Sequence, residues 1–166
     1  TISEADSILL PGVGSFAQGM QHLHEKGLVD LLTDEVVNKK KKFLGICLGM
    51  QLVMEKGFEP HECQGLGWIK GKVIRFEFED LNIPHMGWNS ISAKNQQYYE
   101  GCDGKDFYFI HSYHVVPENT EDIAATVPYG FDVVASLQKD NIFVTQFHPE
   151  KSQTAGLTLL KTFFSA

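Results

Sequence analysis

The amino-acid sequence predicts an α/β fold in which a mainly parallel central sheet carries an antiparallel subsheet. Two short apolar runs, at 7–10 and 43–46, have the continuous hydrophobicity of strands buried on both faces of a parallel sheet. An amphipathic helical pattern lies between them. From Gly71 the pattern changes to strands and turns, and helical periodicity returns only at 156–164. This order favours a mixed α/β sheet closed by a helix over a regular β-α-β-α alternation.

The first third of the chain reads as a βα arrangement. The strand at 7–10 is ended by Pro11 and Gly12, which interrupt regular structure. Apolar side chains then recur at helical spacing, so this helix should lay one face on the sheet; they are Leu28, Leu31, Leu32 and Val36. The strand at 43–46 follows, and a short helix is expected at 48–55.

The remainder of the chain predicts six further strands before the closing helix. They are expected at 72–78, 89–92, 107–110, 123–127, 133–137 and 142–146. With 166 residues, of which 43% are hydrophobic, the chain has enough apolar surface for one core. We therefore expect residues 1–166 to form a single domain.

The composition argues against several classes of function. The chain has 21 acidic and 14 basic side chains, and a net charge of −7 would repel nucleic acid. Its cysteines are Cys47, Cys63 and Cys102, an odd number without a C-x-x-C pair, which disfavours a disulfide framework or a zinc site. No apolar run approaches the length of a membrane span. We expect a cytoplasmic protein with no metal, no cofactor, no nucleic acid and no membrane partner.

The segment GICLG at 45–49 has the form of a nucleophile elbow with cysteine as the nucleophile. A sharp turn from strand to helix crowds the backbone on both sides of Cys47, which explains the flanking glycines. A sulfur atom at a helix amino terminus lies near unpaired N–H groups that favour the thiolate. The Leu48 N–H would face a developing oxyanion. By itself the motif fits a buried structural cysteine equally well.

The segment ending in His148-Pro149-Glu150 supplies the base that such a nucleophile needs. In an extended chain residues two apart project to the same side, so His148 and Glu150 can face one direction at the end of a strand. His148 would take the thiol proton, and Glu150 would hold the ring and stabilise its charged form. The alternative is a surface histidine in a turn, which the elbow in the same chain disfavours.

A glycine-containing loop, PGVGSF at 11–16, follows the first strand directly. Glycine lets a peptide rotate at low steric cost, so Val13 and Gly14 could present a second oxyanion donor beside that of Leu48. The pattern also fits a simple turn between a strand and a helix.

These three segments, in this order, resemble the class I glutamine amidotransferases, which have a flavodoxin-like fold. Three further strings extend the likeness over nearly the whole chain: PHMGWN at 84–89, FIHSY at 109–113 and HPEKSQ at 148–153. Within the class they are most similar to the glutaminase subunit of imidazole glycerol phosphate synthase. Such subunits hydrolyse glutamine to glutamate, and the ammonia passes to a (β/α)₈ cyclase that makes imidazole glycerol phosphate and AICAR in histidine biosynthesis.

The resemblance also implies residue roles. Cys47 would attack the glutamine amide, with His148 and Glu150 completing a catalytic triad. The glutamine backbone would be bound by Gln51, Glu55, Ser112 and Tyr113. A heterodimer interface with the cyclase would include Met86, Trp88, Tyr108 and Lys151. For Met86 and Trp88 an ordinary place in the core is the alternative.

Family members usually begin with a strand, a helix and another strand before the P-G-V-G loop, and here Pro11 follows only ten residues. We therefore expect the domain to be truncated at its amino terminus. Two other functions stay open. A paralogous amidotransferase could feed a sugar-modifying synthase with the same residues, and a truncated fold could be an inactive binding subunit.

Overall fold

The computed structural model describes all residues, 1–166. Its helices are α1 (Phe16–Glu25), α2 (Leu28–Thr33), α3 (Leu48–Leu52) and α4 (Gln153–Ser165). Its strands are β1 (Ser7–Gly12), β2 (Lys42–Cys47), β3 (Met54–Phe58), β4 (Glu62–Gln64), β5 (Ile69–Arg75), β6 (His85–Ser90), β7 (Ser92–Ala93), β8 (Asp106–His111), β9 (Tyr113–Pro117), β10 (Ile123–Tyr129), β11 (Phe131–Lys139) and β12 (Ile142–Thr145). No helix combines the length and the apolar character that crossing a membrane would require.

The central sheet has six strands in the order β1-β2-β12-β11-β10-β7. Strand β2 pairs in parallel with β1 and with β12, whereas the other three pairings are antiparallel. The fold is thus α/β with a mixed sheet, as expected. However, the sequence predicts a mainly parallel sheet, and only two of its five strand pairings are parallel. The reason lies in the short connections. A single residue, Gly130 with φ of 76°, joins β10 to β11, and such a tight turn can only connect antiparallel neighbours.

A four-stranded sheet (β4-β3-β5-β9) and a two-stranded ribbon (β6-β8) complete the molecule. The helix predicted at 48–55 is wrong beyond Leu52, because the chain turns there into β3. The loop at 66–67 stabilises this turn by hydrogen bonds: the Leu66 N–H donates to the Leu52 carbonyl at 2.8 Å, and the Gly67 N–H donates to the Met54 carbonyl at 3.1 Å. Strands β3, β4 and β9 were not predicted.

Two hydrophobic clusters cover the two faces of the central sheet. Alternate residues of one strand belong to different clusters, since Phe43 lies in the first and Leu44 in the second. The same alternation separates Val144 from Phe143 in β12. Helix α1 covers the first face and α4 the second. Strands β2 and β12 are therefore buried on both sides, which accounts for their unbroken apolar sequence.

The turn from β2 to α3 depends on two glycines. A Cβ at Gly45 would come within 2.8 Å of the Gly49 carbonyl oxygen, and a Cβ at Gly49 would overlap the Leu10 carbonyl oxygen in β1. Real Cβ atoms do not approach backbone oxygens so closely. The steric reason for the G-x-C-x-G pattern is therefore the contact of α3 with both neighbouring strands.

We predict that Gly49→Ala lowers the free energy of unfolding by about 3 kcal/mol, because the added methyl group must displace the backbone of β1. The control is Gly19→Ala, also in a helix, where the new Cβ meets only leucine side-chain carbons at 3.0–3.1 Å. Helix propensity offsets such contacts, so the control should stay within about 1 kcal/mol of the parent chain. Urea denaturation measures both values. Equal losses would contradict this account of the turn.

Candidate active site

Cys47 lies where β2 ends and α3 begins, in a backbone conformation that non-glycine residues rarely adopt. Its φ is 54° and its ψ is −108°. Such strain persists only where the surrounding structure enforces it, as the packing of α3 on β1 does here. The side chain is largely buried, with 8% of its surface exposed. The position and the strain match the predicted nucleophile elbow.

The surroundings of the Cys47 thiol favour its neutral form. Burial raises the pKa of Cys47 to about 11, and a hydrogen bond from the Leu48 N–H opposes that rise without cancelling it. The expectation that the helix terminus would favour the thiolate is therefore only partly met, because α3 has five residues and desolvation is the larger effect. The Gln146 side-chain amide also donates to the sulfur, at an Nε2–Sγ distance of 3.7 Å.

His148 follows β12 and is held in a fixed orientation. Its Nδ1 lies 2.7 Å from Glu150 Oε1, as predicted. Its backbone N–H donates to the Tyr108 carbonyl at 2.9 Å, and Ser152 Oγ donates to its carbonyl oxygen at 2.6 Å. Its other ring nitrogen, Nε2, is buried without a hydrogen-bond partner. His148 therefore makes no direct hydrogen bond to the Cys47 thiol whose proton it was predicted to take.

A cavity of about 390 Å³ joins the predicted site residues. It is lined by Val13, Gly14, Ser15, Cys47, Leu48, Gln51, Glu59, Pro84, Ile110, His111, Ser112, Tyr113 and His148. The two candidate oxyanion segments thus line the same cavity as Cys47, and so do three of the four predicted glutamine contacts. Glu150 stands outside the lining, behind the histidine ring.

The structure does not bring Glu55 to the cavity. Its side chain is exposed, because β3 has already replaced α3 at this point and turns it toward solvent. Glu59 lines the cavity instead. Burial raises the pKa of the Glu59 carboxyl group, and a hydrogen bond from the Phe16 backbone N–H opposes that rise. The sequence analysis missed Glu59, because β3 (MEKGF) has no apolar pattern and the only local signal is the following Pro60.

The residues expected at a partner interface lie on the outer face of the β6-β8 ribbon or beside it. Met86 is 58% exposed and Trp88 is 45% exposed, so the alternative of a core position is wrong for both. Trp88 packs on the half-buried Tyr108, with ring centroids 5.7 Å apart. Lys151 is exposed. These side chains form an apolar surface with a cation near it.

We predict that alkylation of Cys47 by iodoacetamide accelerates about tenfold per pH unit from about pH 7 to pH 10, because the reactive thiolate is a minor form throughout that range. Peptide mass spectrometry follows the reaction, and a Cys63→Ser background removes the half-buried cysteine. A rate that is already constant at neutral pH would show instead that the resting sulfur is a thiolate.

Comparison with known proteins identifies a family and related sequences. Residues 2–166 match the model of the family described as "Glutamine amidotransferase class-I". The chain is 54% identical over 166 residues to imidazole glycerol phosphate synthase subunit HisH 1 of Campylobacter jejuni (strain RM1221), covering 98% of this chain and 82% of that protein. It is 48% identical over 167 residues to subunit HisH 2 of Vibrio vulnificus (strain YJ016), with 98% and 77% covered.

Solved structures agree on the fold. The crystal structure of a glutamine amidotransferase from Thermotoga maritima aligns with a TM-score of 0.66 at 16% identity, covering 98% of this chain and 64% of that one. The elbow at Cys47, the cavity and the match across the full length of the chain lead to one assignment. This chain belongs to the class I glutamine amidotransferase family.

Proposed function

We propose that this chain is the glutaminase subunit of an imidazole glycerol phosphate synthase, with Cys47, His148 and Glu150 as its catalytic triad. One observation carries the proposal. A strained, buried cysteine opens into the same cavity as a histidine whose far nitrogen contacts a carboxylate at 2.7 Å and whose near nitrogen is free. This arrangement fits a nucleophile, its base and the group that orients the base.

The hydrogen bond between His148 and Glu150 determines which ring nitrogen can act as the base. An ionised carboxylate only accepts, so the proton of a neutral His148 ring lies on Nδ1. Nε2 therefore carries a lone pair inside the cavity. It takes the Cys47 proton as the sulfur attacks the side-chain amide carbon of glutamine. In the resting site the thiol is neutral and the base does not yet contact it. Such a site suits a reaction that begins only when bound substrate brings the Cys47 thiol and His148 Nε2 together.

Attack on the amide gives a tetrahedral intermediate whose oxygen carries negative charge. The Leu48 N–H already faces the sulfur, and a peptide N–H of the Val13-Gly14 loop supplies the second donor. The His148 imidazolium then protonates the leaving nitrogen, the C–N bond breaks, and ammonia departs from a glutamyl thioester on Cys47. Water, deprotonated by His148, cleaves the thioester to glutamate and restores the thiol.

The cavity also suits the α-amino and α-carboxyl groups of glutamine. Glu59 is the acidic side chain that lines it, so the substrate ammonium group lies there. The Ser112-Tyr113 strand end also lines the cavity, and Gln51 is buried between that segment and Gln146.

The identity of the ammonia acceptor rests on the relatives, which are named as subunits of imidazole glycerol phosphate synthase. A heterodimer with a (β/α)₈ cyclase is supported by the exposed Met86 and Trp88 beside the cavity. Ammonia that escapes into bulk water is protonated and can no longer act as a nucleophile. A docked partner that receives it directly keeps the ammonia in its reactive, neutral form. The pair would then combine glutamine hydrolysis with a lyase reaction. Three free cysteines fit a cytoplasmic setting.

We expect Cys47→Ser to lower glutaminase activity at least about 10³-fold, because the hydroxyl group is a far weaker nucleophile than the thiol in this site. Affinity for the cyclase should be unchanged, since Cys47 is buried below the docking surface. Cys63→Ser is the control and should keep full activity. Ammonia release and surface plasmon resonance give the two measurements. Loss of both properties in Cys47→Ser would indicate misfolding, and retained activity would refute the mechanism.

We propose that Lys151 pairs with a carboxylate group of the cyclase. We predict that Lys151→Glu weakens binding of the cyclase by a factor of about ten or more, because the reversed charge repels that carboxylate. Lys161→Glu makes the same change on the exposed side of α4 and should have no effect. Titration calorimetry measures the affinity, and ammonia appearing in solution measures leakage. Unchanged affinity and leakage in Lys151→Glu would remove this residue from the interface.

A further inference from the structure

The inner face of the β6-β8 ribbon holds a pair of buried histidines that the proposed mechanism does not use. His85 and His111 are opposite each other in the strand register and are 0% and 6% exposed. His85 Nδ1 lies 2.9 Å from His111 Nε2. The outer nitrogen of each ring is also engaged: His85 Nε2 lies 2.8 Å from the Asn89 carboxamide, and His111 Nδ1 lies 2.8 Å from the Tyr113 carbonyl oxygen.

The partners of these rings determine where their protons lie. A carbonyl oxygen only accepts, so His111 Nδ1 carries its proton toward Tyr113. Burial lowers the pKa of both histidines, that of His111 to about 3, which keeps the rings neutral at physiological pH. The bare His111 Nε2 therefore accepts from His85 Nδ1. His85 Nε2 is left as an acceptor. Asn89 Oδ1 lies 2.8 Å from it, so we assign this carboxamide in the reversed orientation, in which its NH₂ group donates to the ring.

Both nitrogens of His111 are thus occupied, although its ring lines the cavity. It has no lone pair or proton to exchange with a substrate, which excludes it as a base or an acid. Toward the cavity wall, the His111 ring acts through its hydrogen bond to the Tyr113 carbonyl group. That oxygen also accepts from Gln51 Nε2 at 3.3 Å, so both of its lone pairs are used.

The fixed carbonyl group leads back to the nucleophile. Gln51 Nε2 also donates to Gln146 Oε1 at 3.1 Å, and Gln146 Nε2 then donates to Cys47 Sγ at 3.7 Å. The neighbouring peptide is held independently, because the Ser112 carbonyl accepts from the Phe76 N–H at 3.0 Å. The pairing of β9 with β5 directs the Tyr113 carbonyl away from β5, where His111 Nδ1 and Gln51 Nε2 bind it. The orientation of Gln51 therefore depends on a carbonyl group that the strand pairing and His111 hold together.

We propose that His111 is a positioning residue of the glutamine site: together with the pairing of β9 on β5, its ring fixes the Tyr113 carbonyl and, through it, the Gln51 and Gln146 amides around the Cys47 sulfur. This role rests on the proposed function. His111 contacts neither the reacting sulfur nor the His148 ring through a hydrogen bond. Its contribution is to binding geometry, so its loss weakens glutamine occupancy more than it slows the chemical step.

Two substitutions at His111 separate this role from a general effect on folding. In His111→Asn the side-chain Nδ2 takes the place of ring Nδ1 and can still donate to the Tyr113 carbonyl. In His111→Gln the amide reaches the place of Nε2, so the bond to Tyr113 is lost while the contact with His85 is kept. We expect about tenfold weaker glutamine binding in the Gln variant and no more than about twofold in the Asn variant.

Two alkylating probes of the full chain measure this without the cyclase. A chloroketone analogue of glutamine occupies the site before the Cys47 sulfur displaces its chloride, so its half-saturating concentration reports binding and its limiting rate reports chemistry. Iodoacetamide reports only the thiol. The proposal predicts that His111→Gln raises the half-saturating concentration about tenfold, leaves the limiting rate and the iodoacetamide rate nearly unchanged, and is rescued in His111→Asn.

The possible failures are distinguishable. If the parent chain shows no saturable reaction with the chloroketone, the proposed glutaminase function itself fails. If the parent chain saturates but the Asn and Gln variants behave alike, or if both probes slow equally, the positioning role is refuted. Should His111→Gln not fold, His111→Leu, which also lacks a donor for the Tyr113 carbonyl, takes its place in the comparison with His111→Asn.

Discussion

The structure depends on one steric constraint, the close packing of α3 against the ends of β1 and β2. Only glycine at positions 45 and 49 permits that approach, and the approach forces Cys47 into a conformation with φ of 54°. Because β2 is buried on both faces, the strain cannot relax by movement of the strand. The sulfur is consequently held at the floor of the cavity whatever the surrounding loops do, and the remaining site residues are arranged around it.

Sequence patterns located the residues whose chemistry is local and missed those whose position depends on distant strands. The elbow at Cys47 and the contact of His148 with Glu150 are set within a few residues, so their spacing was sufficient. Glu59 reaches the cavity only because β3 forms, and β3 pairs with β5 across a loop that has no periodic signal. The His85–His111 pair likewise depends on the register between β6 and β8, which brings together two residues 26 positions apart in the sequence.

The site combines a rigid floor with a resting state that does not attack. Burial holds the thiol neutral, and the near nitrogen of His148 has no partner until something enters the cavity. A glutaminase that serves a synthase has reason to be built in this way, because an exposed thiolate would react with other electrophiles and would hydrolyse glutamine when no acceptor is present.

The β6-β8 ribbon has a second consequence, which follows from the alternation of side chains along a strand. Met86 and Trp88 project outward, and their neighbours His85 and Asn89 project inward, where His85 contacts His111 in the wall of the cavity. A displacement of the ribbon that a docked protein favours must therefore move both faces together. Thermodynamic linkage is reciprocal. If the docked protein changes glutamine affinity by a given factor, bound glutamine changes the affinity of the two chains for each other by the same factor.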